Sequence, residues 1–363
     1  MAWLASRNPP RQTNPNTAEY FSEDVFPLIA DSELGVWNRP NHHFMKETRL
    51  PNGTTLTTEV WFDRFGARVP GPGLETPDRV DIVIVGESNT WGQGMPCDDT
   101  YAAVLGKRLG LSVANFGLIA SSGVQDLLIV RRFISKRPRF IVYGLWEEHF
   151  SSNIRRCPNI DSPVCLSRPF VREDRRGRHS ITLPVGAVRN LREYLRWYRE
   201  TIHGGQHSLW RDMVWKSRVL IRAAFEKHLE PARRRSVPWP VLASGPNWPR
   251  VMGATNFVIS EMKQLADSVK ATLVIVYLPF YFSDTISPAP RELVAHCANI
   301  GATFVSMDAL WSQCKAQGTE FVIPAEGHLN ARGHRDIAEA LGKAIGRCAA
   351  TQDHVAQPDE AGD

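Results

Sequence analysis

Val80-Asp81-Ile82-Val83-Ile84-Val85-Gly86-Glu87-Ser88-Asn89-Thr90 is the stretch that decides how this chain folds. Its first half is a nearly continuous apolar, β-branched run, the pattern of a strand buried on both faces of a parallel sheet. The run breaks at Gly86 and delivers a hydroxyl, Ser88, just past the strand's carboxyl end. Open α/β sheets bind their ligands at that edge. Gly92 and Gly94 loosen the loop that follows. Two readings stay open on this segment: Ser88 meets a substrate, or it caps the next helix.

Outward from this stretch, strand and helix patterns alternate. Thr100–Leu109 has apolar residues at helical spacing and stops at Gly110. Leu111–Phe116 reads as a strand, Val124–Ile134 as a helix capped by Ser121 or Ser122, and Arg139–Tyr143 as a third strand. The alternation resumes with helix Thr255–Lys270, strand Thr272–Leu278, helix Pro290–Asn299, short strand Thr303–Met307 and helix Gly333–Ile345. Strands separated by single helices predict a parallel sheet covered on both faces. Residues 1–20 read as a disordered arm and 349–363 as a disordered tail. Between them, 21–78 reads as a small N-terminal β appendage, with Asn52-Gly53 turning a hairpin. Residues 150–254 interrupt the alternation with an Arg-, Trp- and Pro-rich insertion, helical near Val188–Ile202 and Leu209–Leu229. It follows the third strand's carboxyl end, where it could form a lid, a substrate platform or a packing elaboration.

The 363 residues are enough for one large domain or two, and 43% hydrophobic with 22% charged content is ordinary for a globular chain. No apolar run reaches the roughly 18–20 residues of a membrane span. The polar N-terminus lacks a secretory apolar segment. The expectation is a cytoplasmic protein, or one whose signal or anchor lies outside this sequence; membrane association would need such a segment. Net charge is +5. Between Arg155 and Arg250, basic residues outnumber acidic ones by about a dozen, either a surface for anionic partners or a solvated helical face. No aromatic-interleaved basic module is present, and no nucleic-acid partner is expected. Six cysteines make neither a disulfide scaffold nor a CxxC zinc site. Cys157 and Cys165 bracket a short loop. If they pair, the mature protein works outside the cytosol, the alternative being two free thiols in a reducing compartment. The histidines have no metal-ligand spacing, and no Walker-type phosphate loop occurs.

Acyl transfer needs a nucleophile, a base for its proton, a group that orients the base, and donors for the oxyanion. Near the C-terminus the chain reads Ala325-Glu326-Gly327-His328-Leu329-Asn330-Ala331-Arg332-Gly333-His334. His328 falls in the loop before the last helix and emerges on the same sheet edge as Ser88, a candidate base for it.

These segments resemble the SGNH/GDSL hydrolase family. Gly86-Glu87-Ser88-Asn89-Thr90 is similar to the family's first block, with Glu87 where Asp is usual. Asn115-Phe116-Gly117 is similar to the second, and Glu326-Gly327-His328-Leu329-Asn330 with Gly333-His334 to the last. The resemblance covers about 80–145 and 255–345. It implies a three-layer, flavodoxin-like parallel sheet, with the catalytic domain formed by 79–149 and 255–348. It also implies Ser88 as nucleophile, His328 as base, a Gly117 amide in the oxyanion hole, and no metal or other cofactor. Glu326, two residues before the histidine, would orient the imidazole, unless a backbone carbonyl does so. The third block departs from the family pattern. His149 or Asn153 could replace its usual Asn as an oxyanion donor, or the hole could rest on amides alone.

The reading is a carboxylic ester hydrolase that removes a small acyl group, acetyl above all, from a carbohydrate or glycoconjugate by way of an acyl-Ser88 intermediate. The substrate would be a small acyl ester or an acylated polysaccharide. Two alternatives stand beside it: a polysaccharide O-acetyltransferase with the same acyl-serine, and a non-catalytic carbohydrate-binding protein. The tryptophans of the insertion could stack on sugars, but at helical spacing they read as core.

Overall fold

The computed structural model describes residues 26–49, 54–157, 166–203, 247–280, 289–323 and 327–355. The chain opens with β1 (Leu28–Asp31), β2 (Gly35–Asn38), β3 (His42–Arg49), β4 (Thr55–Phe62) and β5 (Arg68–Val69). The alternating section then gives β6 (Ile82–Gly86), α1 (Ser88–Trp91), α2 (Tyr101–Leu109), β7 (Val113–Asn115), α3 (Gly123–Phe133), β8 (Phe140–Trp146) and α4 (Glu148–Ser152). Next come β9 (Phe170–Glu173), β10 (His179–Thr182), α5 (Ala187–His203) and α6 (Trp248–Ser268). The chain closes with β11 (Thr272–Leu278), α7 (Ala289–Ile300), β12 (Thr303–Ser306), α8 (Asp308–Ala316) and α9 (Ala331–Val355).

One sheet carries the molecule, in the order β12-β11-β8-β6-β7-β5-β4-β3. Its first five strands are parallel, and β6 lies between β7 and β8. This is the doubly wound, flavodoxin-like order, in which the first strand of the set sits at the point where the winding reverses. The two faces of β6 divide by parity. Ile82 and Ile84 join the layer of α2, α8 and α9, while Val83 and Val85 join that of α3, α6 and α7. All four are buried, each worth roughly 1.5–3 kcal/mol relative to exposure. Both faces being covered explains why the stretch carries no polar–apolar alternation.

Local chemistry fixes the helix ends. Thr100 caps α2 by accepting from the Ala103 amide at 3.4 Å, and Gly110 ends it in the left-handed region at φ 66°. Ser122 and Gln125 form a capping box at α3.

Several expectations need correction. Residues 21–78 do not form a separate appendage: β5 pairs antiparallel with β7 through Arg68 and Asn115, so β5, β4 and β3 extend the main sheet. The hairpin of β3 and β4 is present, with its Asn52-Gly53 turn outside the described residues. The insertion, expected to be largely helical, also carries an antiparallel hairpin of β9 and β10 ahead of α5. α6 begins at Trp248 rather than Thr255, with Pro249 in the first turn, where its missing N–H costs no helical bond. α9 runs on to Val355, through the start of the expected tail. Residues 1–20, Leu209–Leu229 and Cys165 lie outside the described residues. No helix among the described residues is long and apolar enough to cross a membrane.

Candidate active site

The chain leaves β6 through a glycine that nothing else could replace. Gly86 has φ 149°, and a Cβ there would press on the Thr90 hydroxyl and lie 2.8 Å from the Gly144 carbonyl oxygen of the neighbouring strand. Glu87 then caps the one-turn helix α1, and Ser88 is its first residue. The Ser88 hydroxyl donates to Glu87 Oε2 at 2.8 Å. Glu87 Oε1 accepts from the Asn89 amide at 3.4 Å and from Asn89 Nδ2 at 3.0 Å. Both open readings of Ser88 are thereby decided in part: the cap is Glu87, and the serine side chain points elsewhere.

It points to His328. Nε2 of His328 lies 2.9 Å from Ser88 Oγ, across 240 residues of sequence. The loop that carries the imidazole is a tight reversal. Val322 bridges Leu329, the Ile323 amide donates to the His328 carbonyl at 2.7 Å, and the Gly327 amide returns to Ile323 O at 3.0 Å. Asn89 joins the two loops, since its Oδ1 accepts from the Leu329 amide at 3.3 Å. The rest of the Leu-Asn-x-x-Gly-His run is structural. Leu329 is fully buried, and Asn330 Oδ1 caps α9 by accepting from the amides of Arg332 and Gly333. His334 Nδ1 accepts from the Tyr101 amide at 3.1 Å, at the start of α2. Burial holds the His334 pKa down to about 3, so this imidazole is a neutral acceptor.

Glu326 lies outside the described residues. Of the expected oxyanion donors, Gly117 is committed elsewhere. Its amide donates to Asn115 Oδ1 at 3.0 Å and its carbonyl accepts from Asn38 Nδ2 at 2.9 Å. Its lack of a side chain serves packing: a Cβ would lie 2.7 Å from Trp91 Cα. His149 and Asn153 also face inward. His149 Nδ1 is 3.1 Å from the Tyr143 hydroxyl, and its Nε2 is 3.6 Å from Asp126 Oδ2, beyond hydrogen-bond reach. Asn153 Nδ2 donates to Thr255 Oγ1 on α6 at 3.3 Å. Burial drives the His149 pKa down to about 3, so its ring is neutral, and pushes the Asp126 carboxyl well above its usual range. These contacts turn both side chains toward the interior. The Ser88 amide, at the first position of α1, has no hydrogen-bond partner among the described residues.

Sequence reading missed two groups. Arg68, on β5, is buried and donates to the carbonyls of Trp91 and Gly92 at 2.6 Å each, and to that of Met95. Its guanidinium also lies 4.8 Å from the Trp91 ring centroid. The extended sheet thus ties down the end of the helix that bears Ser88. Nothing local in the sequence marks Arg68, because its role depends on β5 reaching β7. The second group is Glu148 on α4. Its side chain is exposed, yet close enough to protein to be partly desolvated. Desolvation first, and then the nearby Glu87 charge, raise its pKa, while Arg168, Arg155 and His328 oppose the rise.

No family model matches this chain, and no curated protein matches it. Among solved structures it is similar to a protein from Desulfitobacterium hafniense assigned to the G-D-S-L lipolytic family. Identity is 9%, over 72% of this chain and 98% of that one, with a TM-score of 0.36. A likeness that faint carries no weight for the chemistry. The class that fold and site define is a doubly wound α/β protein with a serine–histidine pair at the winding reversal.

Proposed function

We propose that this chain is a serine esterase of the SGNH/GDSL type, which removes a small acyl group, acetyl above all, from a carbohydrate or glycoconjugate. The observation that carries the reading is the 2.9 Å contact between Ser88 Oγ and His328 Nε2 at the carboxyl edge of β6. In this mechanism His328 takes the Ser88 proton as Oγ adds to the ester carbonyl, and the Ser88 amide donates to the oxyanion. The imidazolium then protonates the departing alcohol, leaving acyl-Ser88. Water, deprotonated by the same imidazole, releases the acid and restores the serine. Glu326 would orient the ring and stabilise its charged form without taking the proton.

The resting hydroxyl has two claimants, and Glu87 holds it at 2.8 Å. For attack, the single hydroxyl proton must turn from Glu87 to His328, a small rotation about the Cβ–Oγ bond. Sugar specificity rests on analogy with the resembled family and is the weaker part of the proposal. Turnover of 4-nitrophenyl acetate alongside acetate release from acetylated oligosaccharides tests both parts. Hydrolysis of the activated ester alone would keep the esterase and remove the carbohydrate. Turnover of neither would remove the enzyme.

A further inference from the structure

We propose that Arg155 and Arg168 form an anion-binding wall beside Ser88, so that the ester this site accepts carries a carboxylate or phosphate. The inference rests on the esterase reading for what the site does, and names the substrate class that site would select.

The observation is a pair of arginines without counter-ions. Arg168 is 4% exposed; its Nε donates to the Arg155 carbonyl and its Nη1 to the Ala120 carbonyl, each at 3.3 Å. Its second Nη has no protein partner among the described residues, and neither has the Arg155 guanidinium. No carboxylate among the described residues lies within ion-pair distance of either. Other arginines differ. Arg132 is bridged by Asp31 and Glu33, and Arg178 by Asp174. Arg68 is buried too, but three carbonyls and the Trp91 ring occupy it. A buried guanidinium without an anion is costly, and the cost falls when an oxyanion binds in the fork.

The pair sits beside the proposed chemistry. Ala120, which takes a bond from Arg168, has φ 54° and belongs to the loop after β7. That loop is pinned to β6 where Leu118 N donates to Gly86 O at 2.9 Å, two residues before Ser88. Glu148 is within electrostatic reach of Glu87 and His328 and also of Arg155 and Arg168. Burial first, and then the neighbouring Arg155 charge, bring the Arg168 pKa down to about 9, the direction a bound anion would reverse.

The test uses the full-length protein with three acetyl esters: a neutral hexose oligomer, a matched oligomer bearing uronic carboxylates, and a hexose phosphate. The expected result is a kcat/KM at least tenfold higher for a charged ester than for the neutral one, with the preference shrinking at high salt. Which charged ester is preferred tells carboxylate from phosphate. Arg155→Gln, checked for an unchanged melting temperature, should lose at least fivefold of that preference, and Arg168→Lys should lose part of it. Equal kcat/KM on all three, or an undiminished preference in Arg155→Gln, overturns the inference. If no ester turns over, the esterase reading falls by itself, and calorimetry with the unacetylated uronate oligomer and with inorganic phosphate still judges the wall. Binding of either that weakens about tenfold in Arg155→Gln supports it, and no binding of either refutes it.

Discussion

Two histidines lie beyond strand ends of the sheet, His328 in a loop and His149 on the short helix α4, and their surroundings give them opposite work. His328 is half-buried and meets a serine hydroxyl at 2.9 Å. His149 is sealed in the interior against Tyr143 and Asp126, with its pKa held near 3 by burial. Each has an oxygen partner and a carboxyl in the neighbourhood, so residue type does not separate them. Access to solvent and to a nucleophile does. An imidazole that must gain and lose a proton near neutral pH cannot be sealed in apolar surroundings.

The sharpest way to break this contrast is substitution. Ser88→Ala and His328→Ala should each cut turnover of an activated acetyl ester by about 10³-fold or more with the fold intact. Far-ultraviolet circular dichroism and melting temperature check the fold. By contrast, the account loses its basis if His149→Gln is as damaging to turnover as His328→Ala.

Arg68 should give the next largest effect. Arg68→Met leaves the carbonyls of Trp91, Gly92 and Met95 without their donor and should cost about 2–4 kcal/mol in chemical denaturation. Any protein that remains folded should show a lower kcat, because α1 loses its anchor. An unchanged denaturation midpoint would mean that β5 does not brace the Ser88 helix.

The two glutamates near the pair come third. Glu326→Gln should lower kcat about tenfold or more without a matching loss of stability, as an orienting group requires. Glu87→Gln keeps the shape of the cap but weakens its hold on the Ser88 hydroxyl, and should change kcat by about tenfold or less. Reversed magnitudes in steady-state kinetics would move the orienting role from Glu326 to Glu87.

The last effect concerns pH and is read on stability alone. Between about pH 6.5 and 3 the unfolded chain takes up a proton that His149 refuses in the fold. The stability this group contributes is complete above pH 6.5 and is lost as pH falls, by up to ~1.4 kcal/mol per pH unit. Asp126 acts with the opposite sign. Its raised carboxyl keeps a proton that the unfolded chain releases, so its contribution is present at low pH and lost on rising through the folded pKa. His149→Gln should therefore flatten the acid limb of a stability–pH curve. A curve parallel to that of the parent would place His149 in a wetter setting.

Much of this architecture is legible in the sequence, because a parallel sheet buried on both faces writes itself as apolar runs. Ile82–Val85 and Leu273–Leu278 are such runs, and their alternation with helices dictates the covered sheet. The position of Ser88 just past the end of β6 is legible for a related reason, since the apolar run stops at Gly86. What the sequence hides is contact between distant short pieces. β5 has two residues, too few for any periodicity, yet its pairing with β7 turns an expected appendage into part of the sheet. The setting of His149 is hidden for the same reason, because the ring lies beside Asp126, on another helix. The hairpin of β9 and β10 carries charged residues along much of its length and lacks the alternation that would mark it.

The most direct test of the central claim is covalent. The full-length protein is treated with a fluorophosphonate, digested, and the adduct located by mass spectrometry. The account predicts one adduct, on Ser88, absent in Ser88→Ala and formed far more slowly in His328→Ala. An adduct on another residue, or labelling that persists undiminished in Ser88→Ala, would contradict it.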